Sequence, residues 1–88
     1  MNIVWTGQFK KDYKRVKKQG KDPDDLRSVV EMLARRKPLP SKQRDHNLSG
    51  RCNKHRECHI APDWLLIYRI DGEDLILERI GSHSELFG

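Results

Sequence analysis

Hydrophobic positions change their spacing near the middle of the chain, from a helical period to strand-like runs. Ile3-Val4-Trp5 is a short β-type run. Phe9, Tyr13 and Val16 then recur at i, i+4 and i+7, one stripe of a helix that has Thr6 as N-cap and ends near Gly20. Lys10, Lys11, Lys14, Arg15, Lys17 and Lys18 occupy the remaining surface, so this helix is basic on every face but one. A second helix is punctuated by Asp22 as N-cap and Pro23 at the first helical position. Asp24 and Asp25 suit the positive end of its macrodipole, and Arg35-Arg36-Lys37 suit the negative end before Pro38. Leu26, Val29, Val30, Leu33 and Ala34 form its buried face. The brief link at Gly20 makes the pair an antiparallel hairpin that must pack on something else.

The second half supplies the partner. Residues 56–60, 64–70 and 75–80 read as strands, the last two rich in aliphatic and aromatic side chains. Ala61-Pro62-Asp63 and the turn Asp71-Gly72-Glu73-Asp74 separate them, which predicts three antiparallel strands in meander order. Both faces of the middle strand are apolar, so one of them covers the helices. The order β-α-α-β-β-β predicts an α+β layer fold. Residues 39–53 carry Pro, Ser, Asn, Gly and several charges and read as a long loop with little regular structure, a length often tied to function.

A chain of 88 residues forms one domain, 1–88, because so short a sequence buries only about 60% of its unfolded surface and cannot divide that core. No stretch approaches the roughly 20 apolar residues of a membrane span, and the N-terminus lacks a signal peptide's basic lead and apolar run, so a cytoplasmic protein is expected. Net charge is +5, yet residues 1–44 hold 13 Lys/Arg against 5 Asp/Glu while residues 45–88 hold 5 against 8. This split suits a polyanionic partner, nucleic acid or an acidic protein. Cys52 and Cys58 are too far apart on an extended segment to bridge and read as reduced thiols.

Four histidines, His46, His55, His59 and His83, stand in the charged framework. Imidazole both accepts and donates a proton near neutral pH, and cleavage of RNA by its own 2′-hydroxyl needs both acts. No metal is required in principle, provided cations stabilise the charge on the phosphorane. Arg79 and Arg56 are candidates for that role. Glu57 lies two residues before His59, so a regular strand points both to one face, where the carboxylate can orient the imidazole. Asp63 is a second such partner. By residue type alone Trp64 and Tyr68 are core aromatics, and the lysines a solubilising or a binding face. The His and Cys residues follow neither paired C-x₂₋₄-C nor H-E-x-x-H spacing, so no metal site and no cofactor are expected.

Three ordered blocks carry a resemblance: Asp45-His46-Asn47-Leu48-Ser49-Gly50, the run from Arg56 through His59-Ile60-Ala61-Pro62-Asp63-Trp64 to Tyr68, and the run from Leu77 through Arg79-Ile80-Gly81-Ser82-His83 to Gly88. They resemble the YafQ branch of the RelE-like toxin superfamily over nearly the whole chain. The resemblance implies a RelE-like fold, with an N-terminal strand and helical hairpin on a mainly antiparallel sheet and a short C-terminal helical turn. It also implies a ribosome-dependent mRNA endonuclease neutralised by a cognate antitoxin. His46, His59, Asp63 and His83 would serve acid-base chemistry, Trp64 and Phe87 would place the RNA, and Arg79 would meet the phosphate. Lys10, Lys11, Lys14, Arg15, Lys17 and Lys18 would grip ribosomal RNA. His55 matches no motif position and reads as a surface residue. Competing readings are a non-catalytic inhibitor of DNA gyrase of the ParE type, which shares the fold, and a plain RNA-binding module.

Overall fold

A computed structural model of the chain describes residues 1–39, the backbone of 46–47, and residues 55–88. Its elements run β1 (Asn2–Trp5), α1 (Gly7–Lys18), α2 (Pro23–Ala34), β2 (His46–Asn47), β3 (Arg56–Ala61), β4 (Trp64–Asp71), β5 (Asp74–Gly81) and α3 (His83–Phe87). Both long helices start where their capping chemistry places them. The Thr6 hydroxyl accepts from the Phe9 N–H at 3.0 Å, and Asp22 accepts from the Asp24 N–H at 2.9 Å. Gly20, at φ 80°, ends the first helical segment in a left-handed turn.

α2 stops at Ala34, so Arg35, Arg36 and Lys37 lie just beyond its last turn rather than within it. Arg36 takes a left-handed φ of 58° there. Its guanidinium reaches across to the β4–β5 turn, 3.3 Å from the Gly72 carbonyl and 3.5 Å from Glu73. Within the stretch expected to be loop, His46 and Asn47 form a two-residue strand paired with β3. Residues 40–45 and 48–54, Cys52 included, fall outside the described residues.

One five-stranded sheet has the order β1-β5-β4-β3-β2. β1 lies parallel to β5, and the other neighbours are antiparallel. Trp64, Leu66 and Tyr68 of β4, Leu75, Leu77 and Ile80 of β5 and Cys58 of β3 face the helices. They form one core with Phe9 and Val16 of α1 and Leu26, Val29, Val30 and Leu33 of α2. Leu65 and Ile67 point the other way and are buried as well. Among the described residues no helix is long and apolar enough to cross a membrane.

The parallel pairing of β1 stops at Trp5↔Leu77, leaving the outer edge of β5 short of backbone partners. Side chains of α1 take over. The Thr6 hydroxyl donates to the Glu78 carbonyl at 3.1 Å, the Ile80 N–H donates to Asp12 at 3.2 Å, and Arg15 donates to the Ile80 carbonyl at 3.1 Å. Asp12 is fully buried and also holds Arg79 through Nε at 2.6 Å and a second guanidinium nitrogen at 3.2 Å. Burial pushes the Asp12 carboxyl up, but hydrogen bonds from Arg79, Gln8 and the Ile80 N–H, with the charge of Arg79, outweigh it and hold the group below its ordinary value. The same bond raises the pKa of Arg79.

Breaking such a pair usually costs ~3–5 kcal/mol. Arg79 keeps a third of its side chain in solvent, which weakens the effect, so Asp12→Ala is expected to lose about 2–3 kcal/mol in urea unfolding. Because folding depresses the pKa of Asp12, its contribution is complete above the ordinary value of 3.8 and is lost as the pH falls through the lower folded-state value. Stability of the variant should therefore fall less steeply with acid below about pH 4 than that of the native protein.

Candidate active site

On the sheet face turned away from the helices, the register aligns two rows of positions. His59 of β3 pairs with Leu65 of β4, which pairs with Gly81 of β5. One step along, His46 of β2, Glu57, Ile67 and Arg79 follow one another across four strands. Strand alternation gives each row a common face. Two residues beyond Gly81 the chain enters α3, and this brings the His83 ring to 6.0 Å from the His59 ring, centroid to centroid.

Asp63 completes the grouping. Ala61↔Trp64 closes a two-residue turn in which Asp63 takes φ 49°, a left-handed conformation that aspartate tolerates better than most residues. One carboxylate oxygen then accepts from the backbone N–H of His83 at 3.0 Å and stands 3.7 Å from its Nδ1. A carboxylate there can fix the tautomer and the orientation of the imidazole. Phe87, one turn further along α3, places its ring 5.9 Å from that of His83 and is half exposed. His83 and Asp63 are mostly exposed, so the site is an open surface rather than a pocket.

Glu57 is buried beside this face, two positions from the half-buried His59. The backbone of His46 lies opposite Glu57, and its side chain is outside the described residues. Arg79 shares the row with Glu57 while two of its nitrogens are bound to Asp12.

Four expectations are corrected. Trp64 is 2% exposed and packs in the core under the helices, so its ring is not open to RNA. Arg56 pairs with Tyr68 on the helix side of the sheet, where its Nε donates to the Tyr68 hydroxyl at 3.2 Å, so it does not face His59. Arg15 is turned inward, with Nη1 3.2 Å from Asp12, Nε 2.9 Å from Glu85 and Nη2 on the Ile80 carbonyl, while Lys10, Lys11, Lys14, Lys17 and Lys18 are exposed. His55 is half-buried rather than on the surface, 3.9 Å from Glu78, and takes no part in the cluster.

Asp12 and Glu85 were missed as organisers. Asp12 sits three residues after Phe9 and four before Val16, inside the apolar stripe, and a carboxylate in that position needs a cationic partner. Glu85 was readable as the last member of Ser82-x-x-Glu85, a capping box that α3 forms in full. The Ser82 N–H, Gln19, the Ser82 hydroxyl and the charge of Arg15 together hold the Glu85 carboxyl below its ordinary value, against slight desolvation.

Two imidazoles and a carboxylate thus gather on an open sheet face of a small α+β scaffold, a group able to take up and release protons. The chain belongs to the YafQ family of bacterial toxins of type II toxin-antitoxin systems, whose profile matches residues 1–88. It is 39% identical over 88 residues to the mRNA interferase toxin YafQ of Escherichia coli K12, covering 99% of this chain and 96% of that one. The crystal structure of YafQ from E. coli BL21(DE3) superposes with a TM-score of 0.93 at 38% identity, covering 99% and 98% of the two chains. YafQ in the E. coli DinJ–YafQ complex gives 0.91 at 39% identity, with the same coverage. A metal-bound toxin from Helicobacter pylori gives 0.93 at 45% identity and covers 99% of each chain.

The two aromatic positions should separate cleanly. Trp64→Ala is expected to cost about 3–5 kcal/mol by removing a core ring, whereas Phe87→Ala should stay within about 0.5 kcal/mol of the native protein. Thermal unfolding of both variants checks this, and equal losses would contradict the burial difference.

Proposed function

We propose that this chain is an mRNA interferase: a cytoplasmic toxin domain spanning residues 1–88 that cuts messenger RNA on the ribosome and is neutralised by an antitoxin encoded with it. The observation that carries the reading is the convergence of His59, Asp63 and His83, which come from a strand end, a tight turn and a helix start, on one exposed face. Family membership supports it: E. coli YafQ is an mRNA interferase toxin and forms a complex with DinJ.

The chemistry follows from the groups present. One imidazole accepts the 2′-hydroxyl proton, the oxygen attacks the adjacent phosphate, and a second imidazole protonates the departing 5′-oxygen. His59, His83 and His46 are the candidates for these two acts. Asp63 anchors His83 through its backbone and stands near Nδ1, and Glu57 supports His59 from the same strand. Arg79, held in place by Asp12, offers positive charge to the phosphorane. Phe87 supplies an exposed ring on which a base can stack. The exposed lysines of α1 meet ribosomal RNA phosphates, a sequence-independent attachment that salt weakens.

Purified protein, stripped of bound metal, is added to magnesium-restored ribosomes programmed with end-labelled mRNA, beside His83→Ala. The expected result is cleavage with 2′,3′-cyclic phosphate ends, reduced about 100-fold or more in the variant. Intact message with active ribosomes would overturn the nuclease reading and favour the gyrase-inhibitor or binding-module class. A metal requirement restored by a transition metal would overturn side-chain acid-base chemistry alone.

Replacing Lys10, Lys14 and Lys17 together by Gln is expected to weaken ribosome association and to flatten its dependence on salt by up to about one unit of slope per lost phosphate contact. Co-sedimentation across a potassium chloride series measures both. An unchanged slope would remove α1 from the ribosome-binding surface.

A further inference from the structure

We propose that Arg15 is a positioning residue for the cleavage reaction, acting through Glu85 to fix the α3 turn that carries His83 and Phe87. The proposal rests on the reading of His83 given above and concerns what holds it.

The guanidinium of Arg15 gives each nitrogen its own oxygen, drawn from three elements. Nη1 stands 3.2 Å from Asp12 on α1, Nη2 bonds the Ile80 carbonyl of β5 at 3.1 Å, and Nε stands 2.9 Å from Glu85 of α3. Glu85 is held from two further sides, by the Gln19 amide at 2.9 Å and by the backbone N–H of Ser82 at 2.8 Å. α3 has only five residues and buries none of them, so packing does little to fix it. This tie and the Asp63 bond to the His83 N–H are what orient it. The contact is close: a Cβ at Gly81 would lie 2.7 Å from Arg15 Nη2 and 3.1 Å from Glu85. A side chain at Gly81 would therefore push the end of the Arg15 guanidinium aside. Lysine cannot replace the arginine, because one ammonium cannot span three separated acceptors.

The same helix bears the exposed lysines, so the tie sets the angle between the ribosome-facing side of α1 and the His83 imidazole. Loosening it should change the rate of cleavage on bound ribosomes rather than the binding itself. Misplacing a reacting group by about 1 Å can cost on the order of 100-fold.

The test compares Arg15→Lys and Glu85→Gln with the native protein, with His83→Ala, and with Arg27→Gln as an exposed-arginine control. Single-turnover cleavage on programmed ribosomes is followed over a range of ribosome concentration. Expected is a fall of about tenfold or more in the saturated rate for both tie variants, with half-saturation unchanged. In NMR spectra of the protein alone, the His83 ring signals should lose the shift induced by the His59 ring, 6.0 Å away on the sheet. Should Arg15→Lys fail to fold, Glu85→Gln, which leaves the Asp12 pairs intact, decides the matter. Native rates in the folded tie variants, with His83→Ala inactive, would overturn the proposal. Full activity in His83→Ala would instead overturn the reading of His83, and the His83 signals distinguish the two failures because they report the tie without RNA.

Discussion

A single buried carboxylate joins the two halves of this protein. Asp12 lies in the apolar stripe of a basic helix, where an ionised group is costly unless its oxygens are saturated. Arg79, Ile80, Gln8 and Arg15 saturate them. Arg79 and Ile80 stand on the strand that leads to His83, and Arg15 on the helix that presents the lysines. The same carboxylate also completes a sheet edge that β1 leaves unfinished. Stability, edge protection and the approach to the site thus share one group.

The site itself is assembled by register rather than by a cavity. Pairing across β2, β3, β4 and β5 puts His46, Glu57, His59 and Arg79 in adjacent rows, and a one-residue slip of β3 or β5 would turn its members toward the helices. The β3–β4 turn and the capping box of α3 finish the arrangement with local hydrogen bonds. An open face of this kind suits a long polymer held in place by a larger assembly, since the enzyme need not enclose what the assembly already presents.

Element type and order were legible because helices and strands differ in period, and the caps at Thr6 and Asp22 state their positions outright. Tertiary choices were less so. Trp64 and Phe87 are both aromatic and both occur in motif blocks, yet alternation buries one beneath the helices and α3 exposes the other. Arg56 and Glu57 are neighbours in sequence and face opposite sides of the sheet. Arg15 looked like one more cation in a run of lysines, and only the three-dimensional position of Ile80 and Glu85 distinguishes it. The parallel pairing of β1 with β5 left no local trace, because nothing near Ile3 specifies a partner 72 positions away.

That pairing has a consequence for the order in which the protein comes into being. Asn2 is made 72 residues before its partner Asp74, so the newly synthesised chain holds β1 and its basic helix without a sheet to receive them. Asp12 has Arg15 beside it on the same helix, but Arg79 is added only much later, and His83 follows later still. A ribosome translating this message therefore adds every element from β1 to β5 before the imidazoles can be brought together.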